Sequence, residues 1–223
     1  MRVPVRRAAL MAAAVVALLL AASLSLAVGA RAIAHSAVLD ALLLGGHGDS
    51  AEVVREMRVP RTAVGLMVGA ALALAGTVLQ GLTRNPIADP GVLGISQGAS
   101  VGVVLAIAFA GVHTLTGYVW YAFAGAGVPA QAVHAIAAGG RGGATPVKLA
   151  LGGAAVNALL VSVTTAILTT RASALDEFRF WQVGSLSGRD ADIAGRIWPF
   201  LLVGLVLVLS VARGLDALAL GED

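Results

Sequence analysis

Six apolar runs, each about as long as a membrane span, constrain the fold of this chain more than any other feature of its sequence. They cover about residues 8–29, 63–82, 92–110, 115–138, 148–169 and 195–212. A helix needs about 20 apolar residues to cross the hydrocarbon core of a bilayer, where every backbone hydrogen bond must be made inside the chain. The pattern therefore predicts an all-α, polytopic transmembrane helix bundle, with residues 1–223 as a single membrane domain.

The composition excludes several kinds of site. Hydrophobic residues make up 58% of the chain and charged residues only 12%, against about 25% charged in a soluble domain. The absence of cysteine excludes disulfides and zinc–thiolate sites. The four histidines lack metal-ligand spacing, so we expect no metal site and no cofactor. The pI is near 10.2, but the basic residues are scattered among loops, which argues against nucleic-acid binding.

The N-terminal segment has two interpretations. Residues 1–7 carry three arginines before the first apolar run, and Ala30-Arg31-Ala32 resembles a signal-peptide cleavage site. The run is longer than the usual 7–15 residues of a signal peptide, which favours an uncleaved span. Basic residues divide almost equally between the two sides, but the N-terminus and residues 139–148 lack accompanying acids. This weakly favours a cytoplasmic N-terminus.

A polar connector, TRNPIADPG, joins the second and third runs. Pro86 and Pro90 cannot continue a helix, and they favour extended conformations at the preceding residues, Asn85 and Asp89. Such an irregular backbone must face protein or a water-filled cavity. Glycines spaced by four in the flanking runs predict close helix packing. These glycines are Gly65, Gly69, Gly94, Gly98 and Gly102.

Catalytic chemistry has little support. The string GISQG at residues 94–98 matches the G-x-S-x-G nucleophile elbow, but an apolar helix follows a loop here, and no histidine is placed to activate Ser96. We therefore predict no catalytic residue and no enzyme, with an intramembrane serine hydrolase as the alternative. Residues 139–146, GGRGGATP, lack the end of a P-loop, so any ATP hydrolysis belongs to a partner.

Three polar residues lie inside the fifth run: Asn157, Thr164 and Thr165. They are candidates for lining a pathway, and interhelical hydrogen bonding is an equally good interpretation of the same residues.

Three separate motifs make the chain resemble the FecCD family, the permease subunits of bacterial ABC importers for ferric siderophores, haem and vitamin B12. The first comprises Arg58-x-Pro60-Arg61, Gly69-Ala70, Gly76, Gln80, Asn85-Pro86, Ala88-Asp89-Pro90, Leu93-Gly94 and Gly98-Ala99. The others are Phe180-Trp181-x-x-Gly184-Ser185-Leu186 and Leu218-Ala219-Leu220-Gly221-Glu222. Together they extend over most of residues 50–223 in the expected order.

The resemblance implies an architecture and a set of partners. Such permeases look like dimers of subunits with about ten transmembrane helices, paired with themselves or a paralogue. Two ATP-binding subunits bind on the cytoplasmic side, and a substrate-binding protein docks outside. Arg58 and Arg61 would contact that binding protein; interfacial snorkelling is the alternative. Residues 213–223 would begin the cytoplasmic coupling element. Its proposed contacts with the ATPase are Leu215, Leu218, Leu220, Gly221 and Glu222.

The resemblance also implies a function. The chain is expected to form the pathway for an iron–siderophore complex in a bacterial cell membrane, with haem and cobalamin as the other substrates of such permeases. Partner ATPases would drive alternating access. Family members continue well beyond this point, so the chain is expected to be about the N-terminal two-thirds of a permease. A truncated membrane protein without transport is the remaining alternative.

Overall fold

Helices are the regular secondary structure of the described part of the chain. The computed structural model describes residues 2–139, 143, 145–188 and 190–220, without the side chains of 2–5, 115 and 216–220. Its helices are α1 (Arg2–Ala27), α2 (His35–Leu44), α3 (Asp49–Thr83), α4 (Ile95–Ala110), α5 (Leu115–Ala138), α6 (Pro146–Thr170), α7 (Ala172–Val183) and α8 (Ala191–Leu220). No strand occurs in these residues, and the all-α prediction is confirmed.

Among the described residues, four helices are long and apolar enough to cross a membrane: α1, α3, α6 and α8. At most 11% of the apolar window of any of them is buried within the protein. Such exposed apolar surface is stable where lipid replaces water. The other two predicted runs also fall on helices. Helix α4 has only 16 residues, and α5 has 24 residues but is not among the four.

Several helix starts differ from the sequence prediction, and two of these differences have a clear local cause. Helix α3 begins at Asp49 rather than near residue 63, with a π-helical segment at Val53–Arg58. That segment ends two residues before Pro60, whose ring and missing N–H prevent the regular α-helical pattern. Helix α4 begins at Ile95 rather than residue 92, because Pro90–Leu93 forms a separate 3₁₀ turn.

The fold comprises two compact units. The first contains residues 1–70 and 186–201. Within it, residues 28–58 form what we call the α2 module, whose apolar core is Ile33, Val38, Ala41, Ala51 and Val54. Gly45 follows the end of α2 with a left-handed φ of 75°, a conformation that glycine adopts without strain.

The second unit contains residues 71–185 and 202–223. Its main core joins α4 to α5 and α7 through Val103, Val104, Ala106, Ile107, Tyr118, Ala174 and Phe178. Helix α5 continues through Pro129, close to α4. A smaller cluster of Val133, Ala137 and Leu149 joins α5 to α6. These contacts fix the helices that carry the polar connector.

Candidate functional site

Arg58, a predicted docking residue, is buried within the first unit, with only 5% of its surface exposed. Its Nη1 donates a hydrogen bond of 2.7 Å to the carbonyl of Leu26, and its Nη2 donates one to the carbonyl of Arg31. The guanidinium group is thus occupied by backbone at the C-terminal end of α1.

Arg61, the second predicted docking residue, lies one turn further along α3 and is only partly buried. It lines a cleft of about 340 Å³ in the same unit. The rest of the lining is mainly apolar, with Leu18 and Leu66 among its residues. Among the described residues, none makes a hydrogen bond or ion pair with Arg61. The two predicted docking arginines therefore have different environments.

The polar connector between α3 and α4 is held by its own hydrogen bonds. Arg84 has a φ of 50° and follows the end of α3, where the amide of Asn85 donates to the carbonyl of Gln80 at 3.2 Å. Asn85 accepts from the amide of Ile87 at 3.1 Å. Asp89 is extended, as predicted, and its carboxylate accepts from the amide of Gly91 at 2.7 Å. The backbone irregularity is thereby satisfied by protein.

Helix α6 supports the connector from one side. The side-chain amide of Asn157 donates a hydrogen bond of 2.8 Å to the carbonyl of Gly91. A Cβ atom at Gly153 would overlap the carbonyl oxygen of Val92, so only glycine permits this approach. The other side-chain atom of Asn157, Oδ1, is buried without a partner among the described residues. Asn157 thus positions the connector, a role for which no pattern in the sequence is diagnostic.

The other two candidates for pathway lining make no contact with the connector. Thr164 is buried, and its hydroxyl has no hydrogen-bond partner among the described residues. The hydroxyl of Thr165 donates to the carbonyl of Val161, one turn back in α6, at 2.9 Å. Neither arrangement shows a pathway, so their role stays a prediction.

A glycine seam joins α4 to α5. A Cβ atom at Gly98 would overlap the carbonyl oxygen of Gly125, and one at Gly102 would overlap that of Tyr121. Gly125 is equally restricted, because its own Cβ would overlap the carbonyl oxygen of Gly98. Gly94, which precedes α4 and has a φ of 77°, lies against Pro129 of α5. The two backbones are therefore too close for a side chain at Gly98, Gly102 or Gly125.

The predicted packing residues of α3 have looser surroundings. A Cβ atom at Gly65 would lie 3.3 Å from Cδ1 of Leu186, whereas one at Gly69 or Gly76 would meet no described atom within 4 Å. Gln80 is exposed. Spacing by four therefore does not by itself identify the glycines that contact another helix.

The predicted coupling residues lie at the end of the described chain. Leu215 is half-buried, with its Cδ2 atom 3.6 Å from a Cβ built at Gly81. Helix α8 includes Leu218 and Leu220, but their side chains lie outside the described residues. Gly221 and Glu222 also lie outside them. The coupling role stays a prediction.

One polar cluster was missed by the sequence analysis. Nδ1 of His113, in the loop after α4, lies 2.7 Å from Oε2 of Glu177 on α7. The hydroxyl of Tyr118, on α5, donates to the other carboxylate oxygen. Burial alone would raise the pKa of Glu177, but the hydrogen bonds from Tyr118 and His113 and the charge of His113 hold it below its usual value. The three residues are widely separated in sequence, so only the fold reveals the cluster.

This cluster predicts a stability that depends on pH. A lowered pKa in the folded state means that Glu177 stabilises the protein above about pH 4.5, and that this contribution is lost as the pH falls through the folded-state pKa. Glu177→Gln should therefore reduce the loss of thermal stability as the pH falls from about 6 to about 3, measured in detergent micelles. Asp176→Asn, at an exposed position on the same helix, is the control, and an equal effect of both changes would contradict the prediction.

Comparison with known families decides what the chain is. The model of the FecCD transport family matches residues 15–223.

The chain belongs to the FecCD transport family.

Two relatives with different named substrates are similar in sequence to this FecCD chain. It is 38% identical over 221 residues to the ferric enterobactin transport system permease protein FepD of Escherichia coli (strain K12), covering 99% of this chain and 66% of that protein. It is 40% identical over 173 residues to the cobalamin import system permease protein BtuC of Halobacterium salinarum, covering 77% of this chain and 46% of that protein. The chain thus spans about half to two-thirds of the length of these relatives.

A solved structure shares the fold. It is described as an inward-facing conformation of a metal-chelate type ABC transporter, and it matches 92% of this chain and 61% of its own, with a TM-score of 0.70 at 24% identity. FecCD proteins are transport permeases rather than enzymes. The hydrolase alternative is wrong on structural grounds too, because Ser96 follows the 3₁₀ turn Pro90–Leu93 and not the strand that a nucleophile elbow requires.

Proposed function

We propose that this chain is a permease subunit of an ATP-driven importer and forms part of the pathway for a metal chelate. The observation that carries the proposal is the FecCD family match over residues 15–223. Helices of membrane-spanning length are consistent with it, as is the 3₁₀ turn, rather than a strand, before Ser96. ATP binding and hydrolysis would occur in partner subunits and would drive alternating access.

The proposed topology has a cytoplasmic N-terminus, with α1, α3, α4, α5, α6 and α8 crossing in turn. The α2 module and α7 then lie outside the cell membrane, and the polar connector and residues 213–223 lie inside. An extracytoplasmic binding protein would meet the outer side, two ATP-binding subunits the inner side, and a second permease subunit the remaining helices. The many exposed apolar side chains of α1 and α8 leave ample surface for lipid and for such a subunit.

The arrangement around the connector fits transmission of movement from the inner side. Asn157 and Gly153 attach the connector to α6, and Gly125 joins α5 to α4 through the glycine seam. Displacement of the connector would therefore move α6 with it as one body. Rigid coupling of this kind is what a two-state change in helix packing requires.

An iron–siderophore complex is the proposed substrate. Similarity to the ferric enterobactin permease extends over 99% of the chain, against 77% for the cobalamin permease. The identities are close, at 38% and 40%, so a direct comparison is needed. We expect ATP-dependent uptake of radioactive ferric siderophore into proteoliposomes that contain the whole importer, with little uptake of cobalamin. Cobalamin uptake alone would change the proposed substrate, and uptake of neither would contradict the permease proposal.

The coupling role of the C-terminal segment gives a further prediction. Leu218→Ala together with Leu220→Ala should reduce the stimulation of ATP hydrolysis by substrate-loaded binding protein by about tenfold, because a short apolar segment binds in a groove through few anchors. Leu209→Ala, at a 64% exposed position on α8, is the matched control. Normal stimulation in the double variant, with normal assembly, would contradict the coupling role.

A further inference from the structure

Arg58 places a charged guanidinium group in a buried site, and its hydrogen bonds explain how the charge is tolerated. A buried guanidinium group is unfavourable unless its hydrogen bonds are satisfied. No ion pair with Arg58 occurs among the described residues; the carbonyls of Leu26 and Arg31 are its partners instead. A Cβ atom at Gly29 would lie 3.1 Å from Nη2, so the turn after α1 closes around the group.

The end of α1 benefits from this contact. The last carbonyls of a helix have no partner within the helix and carry its negative partial charge. The amide of Val28 donates to Leu24 at 2.8 Å, and the amide of Ile33 donates to Ala27 at 3.0 Å. Arg58 supplies the donor for Leu26. A cationic side chain thus contributes to the C-terminal cap of α1.

Arg55 acts in the same way from the same π-helical segment. Its Nε donates a hydrogen bond of 2.7 Å to the carbonyl of Ala41 in α2. Val54, directly before Arg55, is fully buried in the core of the α2 module. Arg55 and Arg58 therefore fasten two different segments of the module onto one helix.

Arg61 differs from both of these arginines. It lies three residues after Arg58, beside Thr62, whose hydroxyl is 2.8 Å from that of Ser25 on α1. The cleft that Arg61 lines is mainly apolar, and Gly65 is part of its wall. Within the described part of the chain, its guanidinium group makes no hydrogen bond or ion pair, so its five donors are available to a carboxylate of another molecule.

We propose that the arginines of the R-x-P-R motif have separate roles. Arg58 is a positioning residue that clamps the end of α1 and the turn at residues 28–31. Arg61 is the arginine that binds an acidic side chain of the extracytoplasmic partner. The assignment of Arg61 rests on the proposed function, whereas the clamp at Arg58 does not.

Accessibility of the two guanidinium groups gives the first test. Phenylglyoxal should label Arg61 in the folded wild-type protein at least about tenfold faster than Arg58, because a buried, hydrogen-bonded group reacts only on local opening. Mass spectrometry of the tryptic or chymotryptic peptides reports both rates. Equal labelling of the two residues would overturn the division of roles without any variant that has to fold.

Hydrogen exchange tests the clamp itself. Arg58→Ala should speed exchange at the amide of Ile33 by about tenfold or more, because its bond to Ala27 depends on the clamped turn. Arg58→Lys should restore part of the protection of the Ile33 amide from exchange. A lysine ammonium supplies hydrogen-bond donors but lacks the planar guanidinium that reaches two carbonyls at once. Arg61→Ala should leave the rate unchanged. An unchanged rate in Arg58→Ala would overturn the clamp.

Docking tests the role of Arg61. We expect Arg61→Ala in the assembled importer to weaken binding of its substrate-binding protein by about tenfold and to flatten the dependence on salt. Arg58→Ala should weaken binding while keeping the wild-type salt dependence, because the charge at the interface is still present. If Arg58→Ala flattens the salt dependence as much as Arg61→Ala does, the division of roles is overturned. If the wild type binds no such protein, the proposed function and the Arg61 assignment both fail, and hydrogen exchange still decides the clamp.

Discussion

Gly125→Ala is expected to lower the free energy of unfolding by about 2–3 kcal/mol, the upper part of the range for overpacking a tight core. The added methyl group would overlap the carbonyl oxygen of Gly98 and lie 3.1 Å from the Cα of Gly102. Both are backbone atoms, so no side-chain rotation can relieve the contact, and α4 and α5 must separate. We expect a fall of several degrees in the thermal unfolding midpoint in detergent micelles, with faster irreversible unfolding.

The matched control for this change lies two residues away on the same helix. A Cβ atom at Gly127 would meet no described atom within 4 Å, so Gly127→Ala removes the same glycine flexibility without the overlap. It should be neutral or slightly stabilising, because alanine is the better helix former. If the two variants lose the same stability, the glycine seam between α4 and α5 is not the cause.

Gly153→Ala is expected to have the second large effect, of about 1–3 kcal/mol, for the same reason of overpacking against backbone. The new methyl group would overlap the carbonyl oxygen of Val92 and displace the 3₁₀ turn from α6. Displacement would also break the 2.8 Å hydrogen bond between Asn157 and Gly91. We expect a lower unfolding midpoint together with faster proteolysis within the polar connector, measured by limited digestion and mass spectrometry.

The neighbouring glycine provides the control. A Cβ atom at Gly152 would lie 3.8 Å from the side chains of Ile136 and Val133, an ordinary contact distance. Gly152→Ala should leave both the unfolding midpoint and the proteolysis rate unchanged. Faster cleavage in Gly152→Ala, or unchanged cleavage in Gly153→Ala, would contradict the role given to Gly153.

The helices were largely predictable because their cause is local. Each apolar run can satisfy its backbone only by bonding within itself, and the prolines and glycines mark where this stops. The failures have local causes too. The start of α3 moved from about residue 63 to Asp49 because a π-helical segment at Val53–Arg58 accommodates Pro60. The start of α4 moved to Ile95 because Pro90–Leu93 forms its own turn.

The contacts between helices were much less predictable. Glycine spacing selected Gly69 as readily as Gly98, yet only Gly98 lies against another backbone, and its partner Gly125 carries no distinguishing pattern. Small residues permit a close approach but do not say which helix will approach. The buried contacts of Arg58 and the cluster around Glu177 were missed for a related reason, since their partners are distant in sequence.

The sequence by itself determined that the chain is helical, that it resides in a membrane and that it resembles FecCD permeases. These properties depend on hydropathy, on hydrogen bonds four residues apart and on motifs that are contiguous in the chain. Only the tertiary structure decided which arginine of R-x-P-R is buried, where Asn157 donates its hydrogen bond and which glycines meet. Those outcomes depend on how helices far apart in sequence pack together, and the spacing of residues within one helix does not specify its neighbour.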